Sequence, residues 1–269
     1  MKLNDERIFS AVVLQNGQII AEYGQPDALY PQYSITKSLV SLCAGFLIDE
    51  GRLSLQSTVV EYLKTPVTAP LSSVTLEHLL TMRSGIREKI LFADRRECDD
   101  YLAACLAQEI TEQRAQYNNA DAYLAGKMTE TAYGKPLEDL MISRIFKPLG
   151  IERYDFEHDP RGGFFGASGL MLSTRDLAAL GESVRTGALY PGDYLRQAVQ
   201  AQTQIDGRGY GYFFWNDGEC YSMSGKWGQK CYIFPQENAV IAINSDHGDV
   251  ETALQDTILP LLRGNCHAV

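Results

Sequence analysis

Ser34-Ile-Thr-Lys-Ser-Leu-Val-Ser-Leu-Cys-Ala-Gly-Phe-Leu-Ile-Asp-Glu50 is the stretch from which the rest of the chain can be read. Ile35, Leu39, Val40, Leu42, Phe46 and Leu47 leave almost no polar face, and Gly51 supplies a stop. A helix apolar nearly all round is buried, so this one should run through the centre of the molecule. At its mouth stand Ser34 and Lys37, the one place in the chain where a serine precedes a lysine by three residues. At i,i+3 the two side chains share a helix face, which sets a hydroxyl beside an amine able to take its proton. A serine in the first turn also lies among backbone N–H groups that have no intrahelical partner and can bind a developing oxyanion. Desolvation and a second positive charge nearby, from Lys226, should depress the Lys37 amine and favour its neutral, basic form.

Two further patterns follow in order. Tyr117-Asn118-Asn119 is the sole Tyr-x-Asn, and Lys226-Trp227-Gly228 the sole Lys-x-Gly. Together with Ser-x-x-Lys they resemble the three elements of the penicillin-recognising serine enzymes, in the form seen in class C β-lactamases and the related esterases and D-amino-acid peptidases. Leu76-Glu-His-Leu-Leu-Thr-Met-Arg-Ser-Gly85 is similar to that family's "LLTHTSG" segment, and Gly166-Ala-Ser-Gly-Leu-Met-Leu-Ser-Thr-Arg-Asp-Leu-Ala178 to its "GGLxSTxxDLA" segment. The resemblance runs from about Ile8 to about Asn244.

The resemblance implies an α+β architecture: a five-stranded antiparallel sheet flanked by helices, beside a helical domain, with the site between them. It makes Ser34 the nucleophile and Lys37, or Tyr117 backed by the lysines, the base. Tyr117 would relay a proton to the leaving group, its phenol acidified by Lys37 and Lys226. Asn119 would bind Lys37 or a substrate amide, and the N–H of Gln229 would join that of Ser34 as the oxyanion hole. Gly225 and Gly228 beside Lys226 allow substrate to approach the backbone. Trp227 departs from the pattern, because β-lactam-processing members carry a small hydroxyl residue there. With shorter intervals between motifs, it makes small esters or short amides the leading substrates, with a D-amino-acid peptide or β-lactam second. A rival class is a sensor that acylates once and reports its ligand. Turnover rather than a single burst separates the two. The mechanism needs no metal and no organic cofactor.

Composition narrows the classes further. Twenty-four basic against 34 acidic residues leave a net charge of −10, which disfavours a nucleic-acid partner, since such binding neutralises phosphates. No run of 18 apolar residues predicts a transmembrane span, and Met-Lys-Leu-Asn-Asp-Glu-Arg7 lacks the apolar core of a signal peptide, so a cytoplasmic location is expected. Cysteines 43, 98, 105, 220, 231 and 266 form no CxxC pair, and reduced structural thiols are expected. No HExxH or GxSxG occurs, so neither zinc hydrolysis nor an α/β-hydrolase triad has an anchor.

Strand signals lie at the two chain ends and helical signals between them. Asn16-Gly17 separates two β-prone runs from Ile8 to Tyr23, a hairpin signature. Thr75, Asn119 and Ser173 or Thr174 open candidate helices. Gly209 to Trp215, Glu219 to Ser224, Lys230 to Pro235 and Ala239 to Asn244 read as strands before a closing helix from Val250 to Arg263. The expected division is a discontinuous sheet domain, 1–30 plus 206–269, and a helical domain, 31–205, built around one active site.

Overall fold

The computed structural model describes every residue except 64–68, 87–90, 92–97, 109, 111–113, 191 and 266–269; Cys266 lies outside the described residues. The hairpin forms as the turn signal requires. Strand β1 (Ile8–Gln15) pairs with β2 (Gln18–Gly24), and Asn16 and Gly17 take φ values of 51° and 75°, the left-handed pair that matches strand twist. Every β1 residue except Phe9 is buried. Val12 and Leu14 enter one core, Ala11 and Val13 another on the opposite face.

Along the chain follow β3 (Leu29–Pro31), β4 (Asp155–Phe156), β5 (Leu170–Ser173), β6 (Thr203–Ile205), β7 (Arg208–Tyr210), β8 (Trp215–Asn216), β9 (Tyr221–Ser224), β10 (Lys230–Phe234) and β11 (Ala239–Ser245). The main sheet has the order β2-β1-β11-β10-β9-β8-β7-β6, all pairs antiparallel. It has eight strands where five were expected. The five longer ones are β2, β1, β11, β10 and β9, and the short β6, β7 and β8 extend that edge. The aromatic run from Gly209 to Trp215, expected as one strand, breaks into β7 and β8 because the chain reverses at Phe213 (φ 60°). Gly211 permits this: a Cβ there would lie 2.1 Å from the Ala198 carbonyl oxygen. Tyr210, Tyr212, Phe213 and Phe214 are nevertheless buried in the core, as their composition demanded. A second, small sheet, β3-β5-β4, takes β4 and β5 from the part expected to be helical.

The central helix α1 (Ile35–Asp49) is buried from Ile35 through Leu47, and Gly51 closes it at φ 71°. It packs against the Asn119–Tyr133 helix. The Thr174–Thr186 helix, capped by the Ser173 side chain on the Asp176 N–H, lies on one face of the sheet against β1, β10 and β11. On the other face the C-terminal helical segment, from Val250 through a π-turn at Leu254–Ile258 to Leu259–Asn265, covers β1, β10 and β11 with Val250, Leu254, Ile258, Leu259 and Leu262. Among the described residues no helix is long and apolar enough to cross a membrane.

Candidate active site

The chain enters α1 under strain. Tyr33 has φ 46°, and Ser34 follows as the residue preceding the helix, with its side chain making no capping hydrogen bond. The hydroxyl instead faces Lys37, whose Nζ lies 2.9 Å from Ser34 Oγ. Lys37 is 1% exposed, and its Nζ also donates to Asn119 Oδ1 and to the Ala167 carbonyl, both at 2.7 Å. Asn119 is the first residue of its helix, capped by Asn118 Oδ1 on the Asp121 N–H, and its amide nitrogen is anchored on the Leu91 carbonyl at 2.9 Å. The structure thus brings Ser34, Lys37 and Asn119 into one hydrogen-bonded group.

Tyr117 completes it. Its hydroxyl is hydrogen-bonded to Ser34, Lys37 Nζ lies 5.1 Å from its ring centroid, and Trp215 stacks on that ring at 5.8 Å. Burial pushes the phenol up to about 12, opposed in part by the Ser34 hydrogen bond. This corrects the expectation of an acidified phenol: desolvation raises it, the hydrogen bond from Ser34 is what opposes the rise, and Tyr117 stays neutral at physiological pH.

The Lys226-Trp227-Gly228 segment forms a tight turn between β9 and β10. Trp227 has φ 64° and Gly228 φ 92°. The Trp227 carbonyl accepts from Ser245 Oγ at 2.7 Å and from the His247 N–H at 3.0 Å. Its indole meets the Tyr33 ring edge-on at 5.0 Å and the His247 ring at 5.0 Å. Lys226 is exposed, and its Nζ rests over that indole at 4.4 Å. Gln229 is buried; its carbonyl accepts from the Gly225 N–H and its Oε1 from the Ser245 N–H, both at 2.8 Å, which fixes the peptide that follows Gly228.

Ser34, Tyr117, Asn119, Lys226 and Trp227 line one cavity of about 530 Å³, together with Tyr33, Ser168, Arg208, Trp215, Ser224, Gly225 and Lys230. Two larger surface clefts, of about 690 and 600 Å³, contain neither Ser34 nor Tyr117. Phe164 and Phe165 are buried in the core and do not line this cavity. His78 caps its own helix, accepting the Thr75 N–H at 3.2 Å, and Arg175 ties to Asp27 and Glu22 near β2; both keep structural roles.

Two contributors, Ala167 and Gln32, escaped the sequence reading, and Gly225 has a contact beyond the one read for it. Ala167 acts through its carbonyl, which no side-chain pattern reports. Buried Gln32 fastens the start of α1 to β5 and β11, donating to the Leu172 carbonyl and to Asn244 Oδ1, both at 3.1 Å. Gly225 presses on Gln32, where a Cβ would come within 2.4 Å of the carbonyl oxygen, so the Lys226 turn and the mouth of α1 are set against each other.

A sheet of this order beside the buried Ser34 helix mouth is the β-lactamase and transpeptidase fold. The chain belongs to the beta-lactamase family, whose sequence profile matches residues 8–259. It is 24% identical over 207 residues to 6-aminohexanoate-dimer hydrolase of Paenarthrobacter ureafaciens, covering 67% of this chain and 53% of that protein. D-alanyl-D-alanine-carboxypeptidase/endopeptidase AmpH of Escherichia coli strain K12 is 25% identical over 194 residues, covering 65% and 49%. The chain therefore spans about half the length of the curated relatives it matches. The octameric penicillin-binding protein homologue from Pyrococcus abyssi has the same fold, with a TM-score of 0.78 over 96% of this chain and 74% of that one, at 22% identity.

Proposed function

We propose that the protein is a serine hydrolase of the class C β-lactamase type that cleaves small esters or amides through an acyl-enzyme. The observation that carries this is the set of Lys37 contacts. A neutral amine has two N–H groups and one lone pair. Nζ donates to Asn119 Oδ1, the Ala167 carbonyl and Ser34 Oγ; in the neutral form, with the first two still accepting, its lone pair would face the Ser34 hydroxyl 2.9 Å away. Burial raises the Tyr117 phenol to about 12, which favours Lys37 over Tyr117 as the base.

In this reading Lys37 takes the Ser34 proton as Oγ bonds to the substrate carbonyl carbon. The N–H groups of Ser34 and Gln229 hold the oxyanion. Collapse breaks the C–O or C–N bond, and the proton passes from Lys37 through the Tyr117 hydroxyl to the leaving group. Water then attacks the acyl carbon and returns Ser34. The names of the two curated relatives favour amides and peptides, and Trp227 keeps β-lactams second. The test is labelling with a fluorophosphonate and peptide mapping of the adduct, followed by steady-state turnover of aryl esters. Labelling at Ser34, lost in Ser34→Ala, with sustained turnover is expected. Label on another serine would overturn the mechanism, and a single-turnover burst would make the protein a sensor.

A further inference from the structure

The cavity around Ser34 is lined by three cations, Arg208, Lys226 and Lys230, and by no aspartate or glutamate among the described residues. That runs against a composition of 34 acidic and 24 basic residues. Two of the cations are engaged. Arg208 is held by both oxygens of Asp217, at 2.8 and 2.7 Å, and lies over the Trp215 ring at 4.6 Å. Lys226 rests on the Trp227 indole.

Lys230 too lies over a ring, that of Tyr232 at 5.8 Å, but unlike the exposed Lys226 it is partly buried, and unlike Arg208 it has no carboxylate partner among the described residues. It opens β10 directly after Gln229, is partly buried, and its Nζ donates to the neutral hydroxyl of Ser224 at 3.3 Å on the paired strand. Among the described residues no carboxylate lies within ion-pair distance of it. The acids that influence it from farther off are committed elsewhere, Glu251 to the Tyr232 hydroxyl at 2.7 Å and Asp217 to Arg208. Burial, and then the charge of Arg208, push its ammonium below the usual lysine range. A desolvated cation without a counter-charge is costly, and this one borders the space in which the substrate must react.

We infer that Lys230 is a specificity-determining residue, and that the preferred substrates are esters or amides carrying a free carboxylate that pairs with its ammonium. The inference rests on the acyl-enzyme reading of Ser34. It concerns a strand residue beyond the Lys-x-Gly turn, which no motif marks.

The experiment compares kcat/KM for a mono-aryl ester of glutaric acid with that for the aryl butyrate, and for 4-acetoxybenzoate with that for phenyl acetate. The two arms place the carboxylate on the acyl and leaving sides. Wild type should favour the carboxylate-bearing ester in at least one arm by roughly 10- to 100-fold, the range of a desolvated charge pair. In Lys230→Met that ratio should collapse, through KM, while Lys230→Arg keeps it and added salt lowers it in wild type. Equal kcat/KM in both arms, or a preference that survives in Lys230→Met, overturns the inference while leaving the mechanism standing. Failure to hydrolyse any of the four esters overturns the acyl-enzyme reading and this inference with it.

Discussion

Lys37 sits where a charged amine is poorly hydrated and two carbonyls claim its hydrogens, so replacing it removes the proposed base and its scaffold at once. Lys37→Ala should lower the acylation rate by roughly 10²- to 10⁴-fold, measured by stopped-flow labelling, and adding Tyr117→Phe should cost far less than the product of the two effects. Tyr117 makes a separate pH prediction. Its phenol titrates near 12, so between pH 7 and 10 it is protonated throughout. The kcat/KM ratio of wild type to Tyr117→Phe should then be constant over that window; a Tyr117-dependent limb centred below pH 10 would show a phenolate base. At Trp227 the backbone decides which variant is informative. At φ 64° a β-branched replacement adds strain, so Trp227→Gly is the clean deletion of the indole. It should raise nitrocefin turnover relative to p-nitrophenyl acetate, and an unchanged ratio would remove the indole from the specificity argument. Ser34, Lys37, Tyr117 and Asn119 were legible because each belongs to a short local pattern. The Ala167 carbonyl and Gln32 were not, because their roles exist only once β5, β11 and α1 meet.

Among the elements, the Asn119–Tyr133 helix carries a carboxyl that its position makes expensive. Asp121 is buried in the first turn, accepting from Ser84 Oγ at 2.5 Å, and burial raises its pKa from 3.8 to about 7, against the hydrogen bonds from Ser84 and Asn118. Below the unfolded value both states hold the proton and no cost arises. As pH climbs towards 7 the unfolded chain ionises first, so stability falls, at up to about 1.4 kcal/mol per unit. Asp121→Asn keeps an acceptor for Ser84 and removes the titration. Its Tm relative to wild type should rise between pH 5 and pH 8; a pH-independent difference would contradict the burial argument. Within α1, a Cβ at Gly45 would lie 2.3 Å from the Tyr194 ring, so Gly45→Ala should destabilise by about 1–3 kcal/mol in urea despite its better helix propensity. Helices such as these were readable from caps and stops. The two- to four-residue strands β4 to β8 were not, because a strand that short has no period of its own and exists only by pairing.

For the whole molecule, the deciding fact is that its first and last strands are neighbours: Ile8 pairs with Ser245 and Gln15 with Ala239. Sequence reading placed strands at both ends, but the order β2-β1-β11-β10-β9 depends on contacts across most of the chain, which no local pattern encodes. The same pairing makes the site depend on the C-terminal helical segment. That segment covers Ala11, Val13, Tyr232, Phe234, Ile241 and Ile243 on the face of β1, β10 and β11 away from α1. Strand β10 begins two residues after Gly228, and β11 ends at Ser245, whose hydroxyl and N–H hold Trp227 and Gln229. Deleting residues 250–269 would bare that apolar face and loosen both strands, so dye binding should rise, near-UV dichroism should fade, and fluorophosphonate labelling of Ser34 should be lost with them. A milder variant keeps the argument testable if the deletion does not fold. Ile258→Ala leaves the segment in place and removes one fully buried side chain, at about 2–5 kcal/mol. It should lower the urea midpoint while labelling in the absence of urea persists. Under increasing urea, labelling should then disappear together with the folded state in a single transition, because the chain ends close the sheet on which the proposed oxyanion-binding peptide is mounted. A labelling transition well before global unfolding would instead show that the site opens independently of the sheet.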